Sequence, residues 1–288
     1  MRSCRRLQAS LLSILIAGLA ANRMRSSDSA PPIGAIQKAA AVSSGLPFEV
    51  GEKFSYLVSW KVFDAGIATM TLADKSIFQG QEAYKVLVTV QSAGIVSTLF
   101  RVDDLFESFF QSRELCSRQF TKNIQEGPRH RRTILQFDLK PLQVRMEDRD
   151  LNRPELPPKR TSSPIPGCVQ DVLSALYVVR TKNLKLGDSL HFMINDGGRT
   201  YNVEVEVQAQ EEVRTPLGVF QTFRLEPKVF DGLFKTKGRL FVWLTNDAAR
   251  MPVQLKAKVN IGTITVALTQ VNQGNLRPAG IPAKPSFE

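Results

Sequence analysis

Carboxylates are the first residues of this chain whose grouping suggests chemistry. Asp103-Asp104 lie near Glu107, Glu147-Asp148 lie beside Asp150, and Asp247 precedes Arg250 by three positions. A glycosidase needs two such acids with separated pKa values facing one cleft. Asp103, Asp104 and Asp247 with Arg250 are the set that a hydrolase of envelope glycans or lipids would use. The structural alternative is that Asp247 and Arg250 fix the turn that closes before Pro252. Stronger catalytic patterns do not occur. There is no Gly-x-Ser-x-Gly elbow, no His-Glu-x-x-His, no phosphate-binding loop and no dinucleotide glycine fingerprint. The chain has only His130 and His191. His191 alternates with Leu190 and Phe192 and so faces the wet side of its strand. No catalytic residue, cofactor or metal is implied, and the pattern points away from an enzyme.

Cysteine chemistry reduces to one question. Of three cysteines, Cys4 lies in a segment that reads as removable. Cys116 and Cys168 remain. They form a disulfide if the compartment is oxidising and the geometry allows it, or they are two buried thiols.

Apolar binding is the other available chemistry. Leu99-Phe100, Leu105-Phe106 and Phe109-Phe110 form a dense aromatic run, with Phe230 and Phe234 near a later turn. Trp60, Phe100, Phe106, Leu173, Leu176 and Trp243 are the candidate lining for a lipid or other apolar ligand; their alternative fate is to fill the core. Burying a methylene is worth about 0.8 kcal/mol, so a long acyl chain would gain on the order of 10 kcal/mol. A basic residue at an anionic membrane supplies about 1 kcal/mol. An apolar inner face would therefore supply the affinity, and charge would orient the protein.

The elements that must position these residues are strands. Phe54, Tyr56, Val58, Trp60 and Val62 alternate with polar or outward residues. Tyr84, Val86, Val88 and Val90 repeat the pattern, as do Tyr201 to Ala209 and Val253 to Ile261. One wet face and one apolar face per strand are how antiparallel sheets cover a single core. Asp196-Gly197-Gly198 and Thr215-Pro216-Leu217-Gly218 read as turns, and Gly127-Pro128 puts the Arg129 to Arg132 cluster at a hairpin tip. One segment has helical spacing: Val169, Val172, Leu173, Leu176 and Val179 predict a buried helix over about 168–181. Asp171 and Arg180 suit its two dipole ends. Nine residues apart, they cannot pair with each other, so each needs its own partner if buried. The expected fold is mainly β: a large curled antiparallel sheet or partial barrel of roughly ten to twelve strands around that helix.

The first residues set the compartment. Arg2, Arg5 and Arg6 precede an apolar run from Leu11 to Ala21 that is too short to cross a bilayer, with small residues at its end. Residues 1–21 read as a secretory signal, so the expectation is a periplasmic or secreted protein. The formal charge of +11 falls by the three signal arginines to about +8, which favours anionic lipid headgroups, acidic glycans or a membrane surface. No nucleic-acid signature occurs. Residues 22–46 read as a flexible leader, 47–272 as a single β-rich domain, 149–167 as a proline-rich excursion or lid, and 273–288 as a disordered tail.

Several ordered blocks resemble a known family. They are Tyr56-x-x-x-Trp60 followed by Ala65-Gly66, Phe137-Asp138, and Asp171-x-x-Ser174-Ala175-Leu176-Tyr177-x-x-Arg180. Thr215-Pro216-x-Gly218-x-Phe220 and Trp243-Leu244-x-x-Asp247-x-x-Arg250-x-Pro252-Val253 complete the series. The chain resembles, from about Phe48 to Val271, the bacterial exported family catalogued as domain of unknown function 3108. The resemblance implies an exported, mainly antiparallel β protein and no reaction. By architecture alone the expected shape is also similar to that of periplasmic lipoprotein carriers. Three readings follow: a non-enzymatic envelope protein that binds an apolar ligand or supports envelope assembly, an envelope hydrolase, or a protein-interaction scaffold.

Overall fold

The computed structural model describes residues 45–229, 238–259 and 262–272. The signal, most of the leader, the tail, Phe230 and Phe234 lie outside the described residues. Within them the alternating segments become fourteen strands in one antiparallel sheet. Strands β1 (Lys53–Trp60), β2 (Phe63–Phe78), β3 (Gln81–Ser92), β4 (Asp103–Gln111), β5 (Ser117–Glu126), β6 (Arg129–Asp138), β7 (Gln143–Asp150) and β8 (Lys159–Pro164) pair in chain order. Strands β9 (Ser189–Asp196), β10 (Arg199–Thr215), β11 (Gly218–Val229), β12 (Gly238–Thr245), β13 (Pro252–Val259) and β14 (Gly262–Asn272) form a second run. The order is β8 to β1, then β14 back to β9, joined where β1 pairs with β14. The chain enters at the middle of the sheet and leaves its edges at β8 and β9.

The two edges do not pair with each other, but the sheet curls until they nearly meet. The β9–β10 turn is the two-residue Gly197-Gly198, both at positive φ (58° and 78°), the backbone that glycine adopts freely. Its tip lies against β8, where the Ser163 hydroxyl donates to the Gly198 carbonyl at 2.6 Å. The buried Lys122 of β5 reaches Asp196 of β9 at 2.6 Å. At the opposite fold of the sheet, the β10–β11 turn reaches β14 through Leu217 N donating to Leu268 O at 3.1 Å. Side-chain and turn contacts thus hold the open sheet as a spiral.

Two helices occur among the described residues: α1 (Gly94–Leu99) and α2 (Val172–Arg180). Helix α2 runs shorter than the 168–181 spacing predicts, for a physical reason at its start. Cys168 is tied to Cys116, Gln170 bridges to Ile194 of β9, and Asp171 is the N-cap. A nine-residue helix is not stable alone. This one is packed on the inner face of the sheet, with Leu173, Ala175, Tyr177, Val178 and Val179 buried. Its Tyr177 ring meets Phe48 edge-on at 4.8 Å and Phe110 at 5.5 Å, and Tyr84 joins both.

The strand count corrects the expected ten to twelve. Strand β7, QVRMEDRD, carries little apolar alternation, and β8, KRTSSP, carries none. Residues 149–167 contain an edge strand that pairs with β7 through its backbone and through the Arg160–Glu147 and Ser162–Gln143 contacts, with Pro164 at its end. Helix α1 was not foreseen, since six residues leave no periodic signature.

Candidate functional site

Asp171 and Arg180 anchor the two ends of α2 with separate partners. Asp171 closes a capping box: its Oδ1 accepts from Leu173 N at 2.8 Å and Ser174 N at 3.0 Å, while its own N–H donates to Ser174 Oγ at 3.0 Å. Its Oδ2 accepts from the Ser108 and Ser117 hydroxyls, both at 2.7 Å, on β4 and β5. Burial pushes this carboxyl above its ordinary pKa, and the four donors pull against that rise. The helix start is thereby fixed to two adjacent strands.

At the other end Arg180 is 2% exposed. Its Nη1 donates to Glu52 Oε1 at 2.6 Å and its Nη2 to Glu52 Oε2 at 2.9 Å. Nη2 also reaches the carbonyls of Pro47 at 2.9 Å and Ala249 at 3.2 Å. The rings of Phe48, Phe54 and Tyr177 stand 5.1–5.6 Å from the guanidinium carbon. Burial works against this charge, but the Glu52 hydrogen bonds and charge outweigh it, and the guanidinium is held above its ordinary pKa. Burial first, and then the Glu52 charge, push the Tyr177 phenol well up. Arg180 so joins the chain entry, α2 and the β12–β13 turn.

Cys116 and Cys168 form a disulfide with 5.1 Å between their Cα atoms. Cys116 is fully buried and Cys168 is exposed. Beside it, Ser117 N donates to Val169 O at 3.0 Å. The staple therefore holds the segment that leads into the cap of α2.

The candidate apolar lining is spread over β1, β4, β12, α2 and the α1–β4 connection. Phe106 exposes nothing, and a ring that exposes nothing borders no space large enough for water. Leu173 and Trp243 are buried, and the Trp243 indole N–H donates to Glu211 Oε1 at 2.7 Å. Leu176 is half-buried and packs on the core. Trp60 is half-buried with the Lys61 amine 5.3 Å from its ring centre. Phe100 is half-buried and covers Gly127, where an added Cβ would lie 2.7 Å from its ring. Three of the six, Phe106, Leu173 and Trp243, are buried, and Trp60, Phe100 and Leu176 are half-buried.

The acids separate in the same way. Asp103 and Asp104 are neighbours on β4 and so point to opposite faces. Asp103 accepts from Gln91 Nε2 at 3.1 Å and lines a cleft of about 360 Å³ with Gln91, Ser92, Ser97, Arg101 and Val102. Asp104 is 2% exposed, next to the equally buried Glu126 of β5, and accepts from Gln125 N at 2.8 Å. Burial, then the Glu126 charge, push its pKa to about 7. A raised acid without access to solvent space does not meet the hydrolase requirement. Asp247 Oδ1 accepts from Thr245 Oγ1 and from the backbone of Ala249 and Arg250 at 2.7–3.1 Å. Arg250, at φ 47°, lays its guanidinium 5.0 Å from the Phe223 ring centre. This pair holds the β12–β13 turn. Among the described residues, no group of three His, Cys, Asp or Glu side chains is placed to hold a metal ion.

Sequence reasoning missed Glu52, Ser108, Ser117, Lys122, Glu126 and Asp196. A signal existed for two of them. In Phe120-x-Lys122-x-Ile124-x-Glu126 the inward period of β5 carries two charges, and a charge in phase with buried rings demands a partner.

The profile of the family described as "Protein of unknown function (DUF3108)" matches residues 55–269. No curated protein matches the chain. Among solved structures, a beta-barrel-like protein of domain of unknown function DUF1849 from Brucella abortus is similar, with TM-score 0.55 and 10% identity over 79% of this chain and 99% of that one. A putative exported protein with a YmcC-like fold from Bacteroides fragilis gives TM-score 0.37 at 11% identity over 79% and 98%. A hypothetical protein from Chlamydia trachomatis gives 0.36 at 7% over 83% and 94%. The Brucella likeness shows a shared β fold.

Proposed function

The chain belongs to the DUF3108 family of proteins of unknown function, and from that premise we propose that it is an exported, non-enzymatic envelope protein that works through its surface. The packing of α2 carries this reading. The helix packs on the inner face of the spiral and is fastened at both ends by buried polar groups, and its Tyr177 ring is packed against Phe48 and Phe110. A carrier whose helix opened would have to break the Glu52–Arg180 pair and the Asp171 cap together. Export is supported by the basic, apolar N-terminal run and by the Cys116–Cys168 disulfide, a bond that persists in oxidising compartments. Envelope assembly or protein scaffolding then suits the fold better than lipid transport or hydrolysis.

Native mass spectrometry of the protein recovered from the periplasm tests this. The expected mass is that of the processed, disulfide-bonded polypeptide alone, with no uptake of fluorescent acyl probes. A stoichiometric lipid adduct would return the carrier reading.

A further inference from the structure

Strand β6 turns Leu135 and Phe137 inward, and β7 does the same with Val144. Residues of the opposite phase therefore stand on the outer face of the sheet. The β6–β7 register sets two of them, Arg132 and Arg149, directly opposite each other. Their Cβ atoms are then about 4.5–5.5 Å apart, and like charges at that spacing repel. Arg132 is exposed and Arg149 half-buried. Among the described residues neither guanidinium has a hydrogen bond, an ion pair or an aromatic ring beneath it.

The acids nearby are taken or turned away. On the outer face, Arg145 pairs with Asp138 at 2.8 Å and Arg160 with Glu147 at 2.9 Å, which leaves Arg132 and Arg149 unmatched on β6 to β8. Asp148 and Asp150 have the inward phase; Asp148 is bound by Arg131 and Thr133, and Asp150 accepts from Asn152 N. On β5 the residues opposite Arg132 and His130 are Asn123 and Gln125, both neutral. One strand further, Asp103 accepts from Gln91 and Glu107 pairs with Lys85. The β7–β8 connection adds one charge of each sign, Arg153 and Glu155. On the other half of the sheet, Arg224, Lys228 and Arg239 each have a glutamate.

An anion would complete this arrangement. Each guanidinium presents a flat fork of N–H donors, and a carboxylate has oxygens for one fork only. A tetrahedral dianion has an edge for each of two forks. His130, two residues along β6 on the same face, adds a ring N–H.

We infer that Arg132 and Arg149 bind a phosphomonoester group on the outer face of β6 and β7, with His130 beside it. The bound dianion cancels the repulsion between the two arginines. The site lies outside the fold and is independent of what the interior holds. A soluble phosphate ester and a phosphatidic acid headgroup present the same dianion, and the test separates them.

The full protein is melted in a calorimeter slightly above neutral pH, where phosphate is mainly dianionic. Inorganic phosphate is the probe, compared with acetate at the same ionic strength. Phosphate is expected to raise Tm in a saturable way, and acetate is not. Arg132→Gln and Arg149→Gln are each expected to weaken the apparent affinity about tenfold, through loss of one charged fork. Arg145→Gln, on the same face but paired with Asp138, is expected to leave it unchanged. Without phosphate, at low salt, Arg132→Gln and Arg149→Gln should melt no lower than wild type, because each removes a like-charge contact. Equal stabilisation by acetate and phosphate, unaltered phosphate affinity in both variants, or variants that melt lower without phosphate would overturn the site. Glucose 1-phosphate and sedimentation with phosphatidic acid vesicles then identify the source. Stabilisation by the sugar phosphate without vesicle recruitment assigns a soluble ester; recruitment that both variants lose assigns a headgroup. Binding of free phosphate with neither of these would overturn the phosphomonoester.

Discussion

Replacing Arg180 with Leu removes the cation from a buried, two-pronged ion pair. Glu52, itself 2% exposed, would keep its carboxylate buried with no partner charge. The carbonyls of Pro47 and Ala249 would lose their donor as well. Breaking a buried pair from one side costs about 3–5 kcal/mol. In a domain of this size 1 kcal/mol shifts Tm by about 2–4 °C, so Arg180→Leu is expected to lower Tm by roughly 6–20 °C. Glu52→Leu should cost a similar amount, because it leaves the cation buried. The double variant Glu52→Leu/Arg180→Leu should lose clearly less than the two singles together, since no orphan charge remains. Urea denaturation and calorimetry of the four proteins give the cycle. Single variants that each cost under about 1 kcal/mol, the value of an exposed pair, would refute the reasoning. Strict additivity would refute it equally.

Asp171→Ala removes a helix cap and takes the acceptor from the Ser108 hydroxyl, while Ser117 keeps Ser174 Oγ as a partner, so urea denaturation should show a loss of about 2–3 kcal/mol. Cys116→Ala/Cys168→Ala opens a loop closed across 52 residues, and the melting curve should fall by an amount equivalent to about 4 kcal/mol. Asp104 sets a pH dependence with a definite sign. Its folded pKa of about 7 lies above its ordinary value, so the folded state holds a proton that the unfolded chain releases. Its contribution is complete below about pH 4 and is lost as pH rises through about 7. Calorimetry from acid to neutral pH should show a decline that Asp104→Asn flattens; an unchanged slope would remove the Asp104–Glu126 coupling from the account.

Period-two alternation reveals strands only where one face is buried. It therefore exposed β1, β3, β10 and β13 and passed over β7 and β8, whose cross-strand side-chain contacts are polar, such as Arg131 with Asp148 and Arg160 with Glu147, and leave no apolar alternation. The need of Asp171 and Arg180 for separate partners followed from helical geometry, but Glu52 could not be named, since it is 128 residues away and precedes the strand that holds it. The Ala65-Gly66 block shows its cause only in three dimensions: a Cβ at Gly66 would lie 2.2 Å from the Gln91 carbonyl oxygen of β3. The apolar candidates were legible as buried or not, yet whether Phe106 and Trp243 line a space or fill one depends on what curls over them. Exposed Val62 and Leu99 were indistinguishable from core residues until α1 was found on the outside.

Hydrogen exchange across α2 addresses the core of this account, that the helix is a fixed plug. The amides of Ala175 to Val179 should exchange only through global unfolding, with the same protection and denaturant dependence as those of β4 and β5. Exchange of α2 through a low-energy opening that leaves β4 and β5 protected would make the helix a lid and contradict it.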